Sequence, residues 1–470
     1  MRATLAQLLA AIPGALLAPG SDAGLAFDGV STDSRKVPAG ALFVALRGET
    51  FDAHDFLAQV AAQGATAVVV DHIDRLPAGW TLPSIVVPDT LVALGRIANL
   101  WRRRFALPVI GVTGSNGKTT VKEMIAAILA AAYGEDGRLA TRGNLNNEIG
   151  VPLTLFRLDG AQRAAVVELG MNHPGEIARL AAIAEPTLAL VNNAQREHQE
   201  FMHTVQAVAR ENGAVLAALP GDGIAVYPHG DEFTPLWRDL AGARRAITFG
   251  LDKGADVSCT HRPAEDFGSD MFISVRADGG GDIRQFFVGL QAAGEHNVRN
   301  ALAAVACAFG AGVELDAIKR GLEAFAPVNG RLQRKRAANG ATVIDDSYNA
   351  NPDSVRAAID VLAQADAPRI LVLGDMGEVG DQGRQFHEEI AAYARDKNIE
   401  HVLATGELAR HLRGANVEHF EQFGDLLAAL DACLLKQPDA TILVKGSRFM
   451  KMERAVQHLI GTQNKNKEAD

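Results

Sequence analysis

Residues 109–125 read VIGVTGSNGKTTVKEMI, an apolar run that passes through a glycine-bounded turn into a lysine, two threonines and an amphipathic helix. Such a turn points successive backbone N–H groups into one concavity, and the positive end of the following helix reinforces them, so the segment forms an anion site. Lys118 completes the site with a full charge, and Thr119 is placed to turn its hydroxyl toward a magnesium ion. The segment departs by one residue from the common phosphate-loop pattern GxxxxGK[ST], because Val112 stands five places before Gly117 and Gly111 comes one place too early. What remains is the shorter TGSNGKTT.

The surroundings of this loop predict a parallel sheet. From about Pro108 the chain alternates PVIGV, a helix from Lys118, AAVVEL, a helix opened by Pro174, TLALVN and a helix near 203–218. Strands alternating with helices argue a parallel sheet covered by helices. Between about 224 and 290 short alternating runs, MFISVR and IRQFFV, joined by the glycine-rich turn 278–282, predict an antiparallel insert. A helix from about His296 closes this unit. Upstream, ALFVAL, TAVVVD and Ile85–Val87 predict a small α/β module. Downstream, the basic stretch PVNGRLQRKRA (327–337) lacks apolar periodicity and predicts a hinge with a solvated edge. Beyond it a second series, ATVIDD, RILVLGDMG, HVLATG and TILVKG with intervening helices, predicts a doubly wound domain. The last ten residues, GTQNKNKEAD, predict a frayed polar tail.

At 470 residues the chain exceeds one ordinary core, and about 150 residues per domain suggests three. The expected division is 1–107, 108–328 and 329–470. A net charge of −10 argues against a general nucleic-acid binder. Three cysteines, Cys259, Cys307 and Cys433, form no CxxC and suggest neither a disulfide framework nor a zinc site. The opening MRATLAQLLAAIPGALLAPG resembles a signal peptide in outline, but Gln7 and Pro13 interrupt its apolar run. Leu5, Leu8 and Leu9 recur at helical spacing, as in a short helix packed on its own domain. No segment approaches the ~18 uninterrupted apolar residues of a membrane span. A soluble, cytoplasmic protein is expected, and nothing demands more than a monomer.

Polar residues gather where strands of the central series end. Glu168 closes AAVVE and is placed to hold magnesium directly or through water, or to cap the next helix. His198, in NNAQREHQEF, is a metal ligand, a donor to phosphate or a structural histidine. Asn144, Asn146 and Asn147 in TRGNLNNEIGVP suit polar recognition of a sugar or phosphate, with turn formation and capping as the competing role. Asn297 and Asn300 in GEHNVRNAL suit either a purine edge or a cap. In the last domain DDSYNANPDS and LVKGSR lie at strand ends beside helix starts, where either can close over a nucleotide.

At these residues the chain resembles the ATP-dependent Mur ligases of peptidoglycan synthesis, and most closely those members that add D-alanyl-D-alanine. The resemblance runs through STDSRKVPAGALFVALRGETFDAHDF, TGSNGKTTVKEM, TRGNLNNEIGVPLTL, ELGMNHPGEI, GEHNVRNALAA, GRL, DDSYNANPDS, VLGDMGE and LVKGSR, in that order. It implies an α/β protein of three domains: a small N-terminal α/β domain holding a UDP sugar, a central P-loop parallel-sheet ATPase and a C-terminal Rossmann-like domain that closes with the incoming amine. It implies that Gly114, Ser115, Asn116, Gly117, Lys118, Thr119 and Thr120 hold ATP phosphates, that Thr119, Glu168 and His198 surround Mg2+, and that Asn297 meets adenine. Arg331 and Asp346 would touch the nucleotide from the hinge and C-terminal side. Ser34 and Arg35 would help bind UDP-N-acetylmuramoyl-tripeptide, Asn144 and Asn146 would line its path, and Tyr348, Asn349 and Asn351 are candidates for nucleotide or dipeptide contact. The resemblance implies that Lys118, Glu168 and His198 carry the catalysis.

The implied reaction is amide formation through an acyl phosphate. Sibling ligases that add diaminopimelate or lysine show a DNPR-type motif where this chain has NANPDS. Folylpolyglutamate synthase shares the other two domains but leaves the STDSR module without a purpose, and an idle nucleotide-binding relative would not need Lys118, Thr119, Glu168 and His198 together. One departure stands out. In a segment that commonly reads VAKAKGEI in the family, this chain has VARENGAV, so Asn212 replaces a lysine that becomes a carbamate and holds a second magnesium. Glu197 is the candidate for a compensating carboxylate.

Overall fold

The strand Val109–Thr113 lies inside a nine-stranded sheet, between Leu188–Val191 on one side and Ala164–Glu168 on the other, and pairs with both in parallel. All five of its residues are buried, which is why it reads as an unbroken apolar run. Later strands are laid on opposite sides of it, so a crevice opens at its C-terminal end, where the glycine turn begins. The computed structural model describes residues 1–265, 267–276 and 282–461. The tail and most of the glycine-rich turn predicted at 278–282 lie outside those residues.

The helix Lys118–Tyr133 leaves the turn and packs beneath the sheet against two others, Glu295–Gly310 and Leu315–Ala324. The first of these carries a run of alanines, and residues 301–308 are fully buried. Small side chains let its backbone lie close to the sheet and bring Asn297 and Asn300, at its N-terminal end, to the crevice. The second approaches still more closely. A Cβ on Gly321 would lie 2.3 Å from the Cα of Ile128, so glycine is required there by contact and not by dihedral freedom.

The expected antiparallel insert is smaller than predicted. Ile224–Pro228 and Arg245–Phe249 continue the parallel sheet beyond Leu188–Val191, and only Val257–Ala264, Gly268–Arg276 and Ile283–Leu290 are antiparallel to one another. The basic stretch is not simply a hinge either. Gln333–Arg336 is a strand, antiparallel to Thr342–Asp346 at the edge of a six-stranded sheet whose other pairings are parallel. Arg334 and Arg336 face water, while Lys335 on the other face is half-buried and pairs with buried Asp345 at 2.6 Å, so the strand is set by pairing and the exposed charges blunt an edge. Apolar periodicity could not reveal it.

The N-terminal portion holds a five-stranded sheet in the order Leu16–Leu17, Ser84–Val86, Ala67–Val70, Leu42–Val44, Val30–Ser31, parallel except for its first pair. The run tested as a signal peptide begins with the helix Leu5–Ala11, whose Leu5 and Leu8 are buried in this portion's core. The helix Thr90–Arg102 fastens it to the central sheet. Asn99 donates to the carbonyls of Ala182 and Ile183, and buried Arg102 to those of Ala184 and Glu185, which closes the otherwise unsatisfied C-terminal end of the helix Glu176–Ala184.

Gly321→Ala should force the helix of the phosphate turn away from its neighbour and cost about 1–3 kcal/mol. Thermal or denaturant unfolding reads this directly, and an unchanged midpoint would contradict the close contact.

Candidate active site

The turn at 114–117 works because two of its residues have no side chain. Gly114 (φ +133°) and Gly117 (φ +82°) adopt dihedrals that L-residues avoid, and each is hemmed in: a Cβ would lie 2.9 Å from Asn192 Cβ at the first and 2.4 Å from Asn300 Oδ1 at the second. The segment after Leu188–Val191 wraps the turn. Asn116 N–H donates to Asn193 Oδ1 (2.8 Å), Asn192 Nδ2 donates to the Asn116 carbonyl (2.8 Å) and to Asn300 Oδ1 (2.9 Å), and Gln195 N–H donates to Ser115 Oγ (2.8 Å). Lys118 curls back over the turn, donating to the carbonyls of Gly114 (2.5 Å) and Ser115 (3.1 Å) and standing 3.4 Å from Glu197 Oε2. Its ammonium is thereby fixed at the mouth of the turn.

Thr119 and Glu168 meet across adjacent strand ends, with Thr119 Oγ1 donating to Glu168 Oε1 at 3.2 Å. Asn146 Nδ2 donates to the same oxygen (2.9 Å), and Arg331 donates to Thr119 Oγ1 (3.0 Å). Glu168 is buried, and its second oxygen, Oε2, has no partner. Leaving a buried polar atom unmatched costs about 1–3 kcal/mol, so this oxygen is suited to a ligand. The competing role for Glu168, capping the next helix, is not what it does: Glu211 accepts from the N–H groups of Gly175 and Ile177 at that helix start. Among the described residues no cluster of three or more His, Cys, Asp or Glu side chains forms a ready-made metal cage. One buried carboxylate and a hydroxyl nevertheless fit magnesium, which keeps several waters.

His198 sits in a left-handed conformation (φ 47°), its Nδ1 2.6 Å from Glu378 Oε2 and its Nε2 3.7 Å from Glu197. The contact with His198 holds the Glu378 carboxyl below its usual range, against the opposing effect of burial. On the same side, buried Asp346 accepts from Lys445 Nζ (2.5 Å) and from Leu332 N–H (3.1 Å), and the Arg331 guanidinium lies 4.3 Å from the centre of the Tyr348 ring. Burial raises the Asp346 pKa, with Lys445 opposing.

These groups line one cleft of about 1120 Å³, together with Asn144, Asn297, Asn349 and Asn351. Both halves of the Asn297 amide are engaged, donating to Ala293 and accepting from Asn300. Asn351 caps the helix Pro352–Ala363 and its side-chain amide exchanges hydrogen bonds with that of Asn116. Ser34 and Arg35 are not brought to the cleft lining; the Ser34 carbonyl accepts from Gln59 and Gln63, and exposed Arg35 pairs with Asp33. Asn212 does not line the cleft either. It lies behind the turn, its Oδ1 accepting from Gly114 N–H (3.0 Å) and its carbonyl from Thr113 Oγ1 (3.2 Å). Where the resemblance puts a metal-holding lysine, this chain has a brace for the loop.

Comparison with known proteins extends this geometry to the whole chain. The Mur ligase family, catalytic domain, model matches residues 26–102, the Mur ligase middle domain 112–308, and the Mur ligase, glutamate ligase domain 330–448. The UDP-N-acetylmuramoyl-tripeptide--D-alanyl-D-alanine ligase of Escherichia coli is 39% identical, with 97% of this chain and 98% of the relative aligned. The chain belongs to the Mur ligase family. The same-named enzyme of Haemophilus influenzae is 36% identical over 93% of this chain and 94% of its own. The crystal structure of MurF from Acinetobacter baumannii superposes on this Mur ligase with a TM-score of 0.90 at 35% identity, covering 98% and 99% of the two chains.

Several residues of this Mur ligase's site are not singled out by the sequence reading: Asn192, Asn193, Gln195 and Glu378. The first three directly follow a predicted strand of the central sheet, so the strand-end rule that found Glu168 was available for them. Glu378 closes the motif VLGDMGE just past a predicted strand, but its partner His198 lies in another domain and no spacing joins the two. Gly117→Ala should weaken ADP binding by about tenfold or more and lower the unfolding midpoint as well, because the added methyl meets the Asn192–Asn300 amide pair at a left-handed φ. Calorimetric titration checks this, and unchanged affinity would contradict it.

Proposed function

We propose that this Mur ligase joins D-alanyl-D-alanine to UDP-N-acetylmuramoyl-tripeptide at the expense of ATP, giving the UDP-N-acetylmuramoyl-pentapeptide precursor of peptidoglycan, ADP and phosphate. The observation that carries the reading is the convergence of Lys118, Thr119 and Glu168 on one cleft walled by residues of the C-terminal sheet, in a chain aligned almost end to end with enzymes of that name.

A carboxylate does not react with an amine until it is activated. In the first step an oxygen of the peptide's terminal carboxylate attacks the γ-phosphorus and ADP leaves, forming an acyl phosphate. In the second, the dipeptide's amine attacks the acyl carbon, loses a proton and expels phosphate. The first step brings two anions together, so charge stabilisation is the main task. Lys118 and the N–H groups from Gly117 onward, at the positive start of the helix, would hold and neutralise the phosphates, while the N–H groups of Gly114, Ser115 and Asn116 are given to Asn212 and Asn193 and shape the turn. Thr119 and Glu168, with His198 nearby, would hold magnesium, which screens the transferring phosphoryl when bound. Arg331 reaches Thr119 from the C-terminal side and orders the same point. Asn144, Asn146, Tyr348, Asn349 and Asn297 all line the cleft; Asn144 and Asn146 would meet the peptide substrate, Tyr348 and Asn349 the nucleotide or dipeptide, and Asn297 the base. Ser34 and Arg35 remain the candidates for the UDP sugar.

Domain limits at 107/108 and 328/329, a monomeric state and a cytoplasmic setting, where ATP and a UDP-linked precursor are available, complete the proposal. No helix of the described residues is long and apolar enough to cross a membrane.

Purified protein with magnesium-ATP, the UDP-linked tripeptide and D-alanyl-D-alanine should release phosphate and form pentapeptide in equal amounts, and Lys118→Ala should slow both by about 100-fold or more. Phosphate release indifferent to the dipeptide, or no pentapeptide by mass, would sink the reading. Glu197 is buried and its Oε1 is unpartnered, so Glu197→Gln should raise the magnesium concentration giving half-maximal rate by about tenfold. An unchanged magnesium dependence would remove Glu197 from the metal's surroundings.

A further inference from the structure

Arg196 lies between Gln195 and Glu197 in the segment that wraps the phosphate turn, yet it does not line the cleft. It points the other way, into the C-terminal portion. Its backbone N–H donates to Asp353 Oδ2 (2.9 Å), its guanidinium to Asp353 Oδ1 (2.6 Å) and to Glu389 Oε2 (2.9 Å), and the guanidinium carbon lies 5.2 Å from the centre of the Phe386 ring. The side chains of Arg196 and Asp353 are each more than three-quarters buried. Asp353 occupies the first turn of the helix Pro352–Ala363, the helix whose capping residue Asn351 meets Asn116 of the phosphate turn.

We propose that Arg196 is a positioning residue for phosphoryl transfer, a latch through which docking of the C-terminal portion sets the segment that holds the phosphate turn. This rests on the function proposed above. The physical argument is one of continuity. Asp353 grips both the backbone and the side chain of Arg196, so the docked helix holds residue 196 at two points. Its neighbours carry the consequences: Gln195 donates its N–H to Ser115, Glu197 faces Lys118, and His198 meets Glu378. With the C-terminal portion undocked, Arg196 is released and these partners lose their common anchor. A bidentate, charge-assisted pair supplies the directionality such a latch needs, and lysine cannot reproduce it. The latch therefore ties turnover to the closed arrangement, in which water is kept from the acyl phosphate.

The test uses the full-length protein with Arg196→Ala, Arg196→Lys, Glu389→Gln, Asp353→Asn and the double variant Arg196→Ala/Asp353→Asn. Arg196→Ala should lower kcat about tenfold or more, with ADP affinity changed less than about threefold, since misplacement and not lost contact is the defect. It should also release more phosphate than pentapeptide, because an unlatched cleft admits water. Arg196→Lys and Glu389→Gln should fall between it and the unmodified protein, and the double variant should be no slower than Arg196→Ala alone. Hydrogen exchange of residues 193–198 in the ADP complex should accelerate in Arg196→Ala, a readout independent of which substrates are correct. Unmodified protein that makes no pentapeptide overturns the functional reading, while the exchange result still judges the latch. Unchanged exchange, an unchanged kcat, or losses in the double variant that multiply, each overturns the latch.

Discussion

The phosphate site proposed at the end of the strand Val109–Thr113 asks the backbone to come close to a polyanion, and at Gly114 and Gly117 the surroundings leave no room for a Cβ. Gly114 and Gly117 are pressed against Asn192 and Asn300, and Lys118 folds back on the carbonyls it has just passed. The result is a backbone turn of fixed shape that ends at the positive start of the helix Lys118–Tyr133, where an anion is favoured. Three further features follow from it: the alanine-rich helix that brings Asn300 up to the turn, the contact at Gly321 that fixes the helix below, and Asn212, which braces Gly114 from behind.

The Asn212 position shows how a sequence difference acquires a physical meaning. An asparagine cannot form a carbamate, and the structure gives its amide oxygen another partner, the N–H of Gly114. In the proposed function magnesium would then be held by Thr119 and Glu168 with His198 nearby, while Glu197 faces Lys118 and lies 3.7 Å from the His198 ring. Magnesium tolerates such a sparse set because its inner waters supply the remaining positions.

Local pattern revealed the parallel strands of the central and C-terminal sheets, since buried runs such as Val109–Thr113 and Thr441–Lys445 are largely apolar and helices follow them. It failed where pairing alone defines a strand. Gln333–Arg336 carries three cations in four residues, and no periodicity marks it. Ile224–Pro228 and Arg245–Phe249 were assigned to the antiparallel insert because their parallel partners are set by tertiary position. The site divides in the same way. The phosphate turn and Glu168 announce themselves at strand ends, whereas Glu378, Arg196 and Asp353 acquire a role only when two sheets are brought face to face. Side chains acting across a domain boundary leave no spacing in the sequence to read.

The most direct test of the account follows the oxygen atoms. UDP-linked tripeptide labelled with 18O in its terminal carboxylate should transfer one labelled oxygen to each phosphate released during pentapeptide formation, because that oxygen bridges carbon and phosphorus until the amine displaces it. Mass spectrometry of the phosphate gives the answer. One 18O per phosphate is the predicted result, and unlabelled phosphate accompanying pentapeptide would show that the cleft activates the carboxylate by another route.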